Sequence, residues 1–287
     1  MKHRRGVLAA AAVLVAVRAA SAQYLLPATP QESLERARVL AELNASLFGA
    51  VGFVDRDGIT QEISGLRIGD GALRISWAPV PHVAVGIEAD YRASHLAPEG
   101  SAEAVTVSGL SGAGGLVLWS PSGARSGFPA VLTLGYFGAP RESDRILTVR
   151  DGTARLLLDA DVASRPNALP HDWRAAADLS FQLGRGGRAP SRFYRGEVRL
   201  ESGPGIAEFR GLSLHALALV GIRISSNAPQ EGLSFSSEGS TAAFIGPVLQ
   251  ADSAAGWSAA LAGTWNAIRV RNALKGWRAA AMLRRVM

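Results

Sequence analysis

Trp173–Leu183 reads WRAAADLSFQL. Successive side chains of an extended chain point to opposite faces. One face is therefore Trp173, Ala175, Ala177, Leu179, Phe181 and Leu183, all apolar, and the other is Arg174, Ala176, Asp178, Ser180 and Gln182. His82–Tyr91 (HVAVGIEADY) sorts in the same way, with Val83, Val85, Ile87, Ala89 and Tyr91 opposite His82, Ala84, Gly86, Glu88 and Asp90. Trp257–Asn266 (WSAALAGTWN) is a third case, with Trp257, Ala259, Leu261, Gly263 and Trp265 on one side. Strict alternation over such lengths marks strands with two chemically different faces.

Working outward from these runs, strands are expected near 47–55, 71–78, 82–91, 105–119, 130–138, 154–163, 172–183, 193–201, 210–224, 240–251, 256–266 and 276–286. The fold class is all-β, an antiparallel up-and-down arrangement of about twelve strands. An even count puts both chain ends on one side, so connections alternate between two sides. Residues 56–70, 92–104, 139–153, 225–239 and 267–275 are the longer links, 79–81, 164–171, 202–209 and 252–255 the shorter ones, and 120–129 and 184–192 fit less well. Short turns beside the termini and long loops opposite are the layout of transmembrane β-barrels.

Aromatic placement tests the same idea, because such barrels carry aromatic girdles at both interfaces. Trp77, Trp119, Trp173 and Trp257 fall beside short turns, while Trp265 and Trp277 flank a long link. Tyr91, Tyr136 and Tyr194 also fall at the long-link end. Trp257 and Trp265 are eight residues apart, about 26 Å along a strand and about 20 Å across a bilayer at the usual tilt.

A soluble β-sandwich also alternates, but it places bulky residues inside and polar ones outside. Here one face is small and apolar while the other holds charges near strand centres. Arg155, Asp159 and Asp161 alternate with Leu156, Leu158, Ala160 and Val162, and Arg195, Glu197, Arg199 and Glu201 alternate with Tyr194, Gly196, Val198 and Leu200. A polar lumen within a lipid-facing wall accounts for both faces. The lumen set expected to line a solute path is Arg74, Glu88, Asp90, Arg155, Asp159, Asp161, Arg174, Asp178, Arg195, Glu197, Arg199 and Glu201. Such a set can select a solute, or pair across strands and fill the lumen.

Composition agrees. The 287 residues are 48% apolar but only 19% charged, with no cysteine, so neither a disulfide framework nor a thiolate site can form. Lys2, His3, Arg4 and Arg5 precede the apolar run Gly6–Val17 and the small-residue pattern Ala20-Ser21-Ala22, which reads as a secretory signal peptide over residues 1–22. Without it the basic excess nearly disappears, leaving 26 basic against 24 acidic residues. Arg269, Arg271, Lys275, Arg278, Arg284 and Arg285 then hold the remaining positive charge at the carboxyl end. This excludes nucleic acid as a partner. Arg269, Arg271 and Lys275, in the last long link, are expected to face outer-membrane lipid and lipopolysaccharide.

Residues 23–46 form a separate periplasmic segment. Thr29-Pro30-Gln31-Glu32 starts a short N-terminal helix running to about Leu43, with a weak stripe of Leu34, Ala37 and Ala41 resting on the rim. The barrel itself is expected over 47–287.

Segments such as Gly69–Tyr91 (GDGALRISWAPVPHVAVGIEADY) and Ile245–Trp265 (IGPVLQADSAAGWSAALAGTW) resemble hairpins of Gram-negative outer-membrane β-barrels of the transporter-like type associated with small hydrophobic or aromatic compounds. The resemblance implies insertion through the barrel assembly machinery and passage of a small hydrophobic solute. Such barrels usually end in Phe; here Trp277, Ala279, Ala281 and Leu283 keep the alternation, but Arg285 interrupts it and Met287 stands last.

Chemical alternatives are thin. Ser213 and His215 share a strand face, the minimum for a lipid-hydrolysing pair, but no acid is assignable as the third group. Ser94-His95 beside Glu99 and His171-Asp172 are adjacent only in sequence. Asp159 and Asp161 fall short of the six to eight oxygens that calcium takes. Gly184-Arg185-Gly186-Gly187-Arg188 lacks the Lys-Ser/Thr of a phosphate loop. The reading is a passive channel or binding barrel, not an enzyme, with no cofactor and no metal; a lipid-modifying hydrolase and a structural barrel with a filled lumen are the alternatives.

Overall fold

The computed structural model describes residues 38–287 apart from 56, 64, 98–103, 120–129, 139–140, 144–147, 152–153, 164–171, 184–193, 226–227, 230–235, 238–239 and 272. The first elements are β1 (Val39–Val54), β2 (Thr60–Glu62), β3 (Leu66–Val80), β4 (Val83–Leu96), β5 (Val105–Trp119) and β6 (Ala130–Gly138). Next come β7 (Arg141–Ser143), β8 (Thr148–Asp151), β9 (Ala154–Ala163), β10 (Asp172–Leu183), β11 (Tyr194–Gly203) and β12 (Gly205–Phe209). The chain finishes with β13 (Leu212–Ser225), β14 (Ala228–Pro229), β15 (Ser236–Ser237), β16 (Ser240–Ser253), β17 (Trp257–Arg271) and β18 (Ala273–Val286). Among the described residues there is no helix.

The long strands pair antiparallel in the order β1, β3, β4, β5, β6, β9, β10, β11, β13, β16, β17, β18, and β18 returns to β1. The ring of long strands is therefore closed, which removes the open edge that invites edge-to-edge association. The seam runs from Leu40↔Val286 to Val54↔Ala273, and reciprocal bonds between Val39 and Met287 (2.9 and 2.8 Å) extend it past the last ladder pair. Both described chain ends thus meet at one end of the barrel, the turn end. The β3–β4, β12–β13 and β16–β17 connections also lie there. Arg210 and Gly211 both have positive φ (49° and 77°) in the β12–β13 turn, a combination that a two-residue hairpin of matching twist needs.

The expected strands 105–119, 130–138, 154–163 and 172–183 coincide with β5, β6, β9 and β10. Others run longer than expected, and two expectations fail. The first is the helix to Leu43. Its part over Val39–Leu43 is strand, because Val39, Ala41, Leu43, Ala45 and Leu47 alternate with buried Leu40, Glu42, Asn44, Ser46 and Phe48, and that period outweighs the upstream capping pattern. The rest of residues 23–37, with the signal segment, lies outside the described residues. The barrel consequently begins at Val39, eight positions before the expected 47.

The second failure is the link 267–275, which is strand on both sides of residue 272. The β16–β17 ladder continues to Thr241↔Arg271 through two register shifts. Asn266 donates to the Leu274 carbonyl at 2.9 Å and accepts from the Gly276 amide, joining β17 to β18 beyond the last ladder pair. A smaller departure is His82, which sits in the β3–β4 turn at φ 69° and does not start the strand.

The two faces differ sharply. Leu73, Ile75, Ile87, Val117, Val198, Val220, Leu249 and Leu261 are exposed on the outer wall, whereas Asp70, Arg74, Glu88, Arg92, Glu197, Arg199 and Glu201 are buried inside. Hydrophobic residues outside and charges inside is the inverse of a water-soluble domain. Trp77, Trp119 and Trp257 are exposed on the wall toward the turn end, and Trp265 and Trp277 stand opposite each other toward the other end. The Trp277 ring lies over Gly49, where a Cβ would come within 2.5 Å of it. Arg285 stays on the outer face but leans its guanidinium over the Trp257 ring at 4.9 Å and donates to the Ala255 carbonyl. The apolar alternation of β18 therefore ends where the strand reaches the turn end, and the charge is carried back to polar partners.

Candidate functional site

The interior is built in layers by strand parity. Toward the long-link end Phe48, Ala50, Leu66, Ile68 and Leu274 form an apolar layer that Phe53, Leu96, Val105 and Val107 extend. Toward the turn end Ala78, Ala84, Leu116 and Leu118 form another. Between them lie a band of charge on the β1–β3–β4 and β11–β13 walls and an apolar cluster of Leu217, Leu219, Phe244, Val248, Ala260, Ala262 and Met282 on the β13–β16–β17–β18 wall.

On the β1–β3–β4 wall, register sets Glu42, Arg74 and Glu88 in one inward row and Ser46, Asp70 and Arg92 in the next but one. Arg74 Nε donates to Glu88 at 2.6 Å and Arg92 Nε to Asp70 at 2.7 Å, each pair almost wholly buried. Asn44 Nδ2 donates to Glu42 at 2.6 Å. Arg278 lies over the Phe48 ring at 5.4 Å and donates to the Ser46 hydroxyl at 3.5 Å. Asp90 is buried one row from Glu88, level with Asn44 and Ala72.

The β11–β13 wall repeats the theme. Glu197 accepts from Arg223 Nε at 2.7 Å and lies 3.9 Å from Arg199, and the Arg223 guanidinium is 5.9 Å from the Phe244 ring centroid. Arg199 and Glu201 are 1% and 0% exposed. A carboxylate or guanidinium shut away from water to this degree is tolerated only with close counter-charges and hydrogen bonds. The band thus gathers opposite charges close together and away from bulk solvent.

Six of the twelve lumen positions expected from sequence, Arg74, Glu88, Asp90, Glu197, Arg199 and Glu201, are buried on the interior face. The other six are placed by backbone register. Asp159, Asp178 and Glu197 share one row, Arg174 stands opposite Glu201, Asp161 and Arg199 both face Ala176, Arg155 stands opposite Gln182, and Arg195 opposite Ser180. Arg269 and Arg271 lie in β17 and Lys275 in β18.

Sequence reading missed Glu42, Asp70, Arg92, Arg223 and Arg278. Asp70 and Arg92 sit where strands outrun their expected ends, and Glu42 was masked by the helix signal. The parity that marks Arg223 was ambiguous within Leu212–Ile224.

The Ser213–His215 pair gains a neighbour that sequence could not assign. Asp252 of β16 stands opposite Ser213, and its Oδ2 is 3.8 Å from His215 Nε2. That separation is beyond hydrogen-bond reach, and the same oxygen accepts from Gln250 Nε2 at 2.5 Å. His215 is buried on the inner face, away from the outer wall. His95 pairs its Nδ1 with the Thr106 hydroxyl at 2.8 Å, and Glu99 lies outside the described residues. No cluster of three or more metal-ligating side chains occurs among the described residues.

No protein-family model and no curated protein sequence matches the chain. Solved structures do. An outer-membrane channel from Pseudomonas putida F1 superposes with a TM-score of 0.66 at 11% identity, covering 92% of this chain and 100% of that one. The fold is that of an outer-membrane β-barrel. The β domain of the Bordetella autotransporter BrkA is also similar, with a TM-score of 0.53 at 15% identity over 88% of this chain and all of that one. At these identities the barrel architecture is what is shared.

Proposed function

We propose that the chain is a twelve-strand barrel of the Gram-negative outer membrane, exported by a cleaved signal and inserted by the barrel assembly machinery. It acts as a narrow passive channel or binding barrel for a small, hydrophobic solute, with no chemical step. The observation that carries this reading is an interior with apolar layers at both ends and, between them, a band of paired charges on two walls beside an apolar cluster on the β13–β16–β17–β18 wall, inside a wall that is apolar on its outside. An apolar solute partitions into either end layer, and the charged band between them sets the selectivity. In the membrane the long-link end faces outward, as termini and short turns lie on the periplasmic side. Arg269, Arg271 and Lys275 then reach the anionic lipid of the outer leaflet. The fold shared with a bacterial outer-membrane channel supports this.

One observation favours a second reading. Interior charges at 0–2% exposure, such as Glu201, Arg199 and Glu197, leave little room for water at their level, as in a barrel with a filled lumen. Planar-bilayer recording of the refolded chain decides between them. Steady unitary currents that change on Arg74→Ala support the channel, while a silent bilayer in both supports the filled barrel and overturns the channel.

A further inference from the structure

The outer wall of β17, β18, β1, β3, β4 and β5 is not uniformly bulky. Small side chains at Ala45, Gly69, Ala93 and Ala279 leave a trough of about 520 Å³, floored by aliphatic atoms and continuing to Leu261 at its lower end. That volume is in the range of small-molecule sites, about 300–1,000 Å³. Six strands at about 4.8 Å spacing give roughly 24 Å measured across the strands, a line that at a tilt near 40° covers about 15 Å along the membrane normal, the depth of one bilayer leaflet.

The upper end of the trough is polar. Arg67, His95 and Thr106 stand in one register row across β3, β4 and β5, and Arg67 is exposed and in no ion pair among the described residues. The same row runs through Gly49 to Trp277 and Trp265, the aromatic pair nearer the long-link end. Arg67 and Trp77 are ten residues apart on β3, about 25 Å of vertical separation at a tilt near 40°, the height of a lipid-facing band. Arg67 is therefore at headgroup level and the trough below it at acyl level. The residues lining the trough include no acid, so a second copy docking face to face through the same surface offers Arg67 no counter-charge, whereas a phosphate does.

We propose that this trough is a specific site for one acylated, phosphate-bearing lipid of the outer leaflet, lipid A being the source, with a chain lying over Ala45, Gly69, Ala93 and Ala279 and a phosphate on Arg67. It is separate from the lumen and from the Arg269, Arg271 and Lys275 group. Native mass spectrometry of the full refolded chain in detergent, titrated with purified lipid A and with its dephosphorylated form, tests it. One lipid A is retained per chain. Arg67→Gln weakens that binding about fivefold, Arg67→Lys does not, and dephosphorylated lipid A binds native chain and Arg67→Gln alike. Ala93→Leu with Gly69→Leu fills the trough and removes both ligands. A Cβ at Gly69 meets nothing closer than 3.8 Å, so the wall accepts the side chain, and heat-modifiable gel mobility verifies each variant's fold. If the double variant does not fold, Ala93→Leu alone carries the comparison. Equal lipid A retention in native chain and Arg67→Gln, or retention unaffected by filling the trough, overturns the proposal. So does a dimer that binds no lipid and disappears on filling, which would make the trough an interface between copies.

Discussion

Arg74→Met tests the ionic layer where it is most tightly balanced. Arg74 stands between two buried carboxylates in one register row, Glu42 on β1 and Glu88 on β4, and its side chain is 5% exposed against 2% for Glu88. Methionine keeps the length of the stem but removes the base whose Nε donates to Glu88 at 2.6 Å. Breaking a buried pair by removing one partner costs about 3–5 kcal/mol. Glu88→Gln is gentler. Arg74 keeps Glu42 beside it, and the glutamine carbonyl still accepts its Nε–H, so the loss is close to that of a charge-assisted bond becoming a neutral one, about 1–2 kcal/mol. Arg74→Met should therefore destabilise more than Glu88→Gln by about 2 kcal/mol. The double replacement Arg74→Met with Glu88→Met should cost less than Arg74→Met alone, since the stranded carboxylate is gone. Urea unfolding in phospholipid vesicles, followed by tryptophan emission, measures all three. Equal midpoints for Arg74→Met and Glu88→Gln, or strict additivity in the double variant, would refute the picture of Arg74 and Glu88 as a coupled buried pair.

Three further outcomes follow from the wall and the seam. Leu261 lies midway between Trp257 and Trp265 on the outer face and is 62% exposed; Leu261→Arg should cost about 2–4 kcal/mol in a bilayer, and a change within about 0.5 kcal/mol would instead describe a surface in water. Gly49→Val should destabilise by about 1–3 kcal/mol and shift the tryptophan emission, because its Cβ would displace the Trp277 ring; unchanged emission would mean that the ring does not rest there. Phospholipid hydrolysis should be absent from native chain and His215→Ala alike, since His215 is buried inside and 3.8 Å from Asp252; turnover lost on His215→Ala would reinstate an enzyme.

Strand positions were legible because alternation is a property of neighbours in sequence. Trp173–Leu183 shows its two faces without reference to any other segment, and β10 occupies Asp172–Leu183. Reading was least secure where a second local pattern competed, as at Val39–Leu43, where a capping signal upstream favoured a helix. It also failed where pairing to a neighbour carried a strand further than its own alternation implied, as at Asp70, Arg92 and 267–271. The extra ladder bonds of Gly69↔Ala93 and Thr241↔Arg271 stabilise extended backbone there.

The sequence by itself determined that the chain alternates, that its charged side chains share a face opposite an apolar one, and that aromatic rings mark the strand ends. Only the tertiary structure decided which charges meet. Arg74 reaches Glu88 across 14 residues and Arg223 reaches Glu197 across 26, and Glu42 stands level with Arg74 and Arg284 through the β1–β3 and β1–β18 registers. Closure of β1 on β18 brings Arg278 to Ser46 from the far end of the chain. The physical reason is that a face is set by the two-residue period of one strand, whereas a partner is set by register. Register depends on bulges, turns and the closure of the whole ring. The recess beside Arg67 has the same origin. Its small residues are unremarked in any one strand and form a trough only when six strands lie side by side.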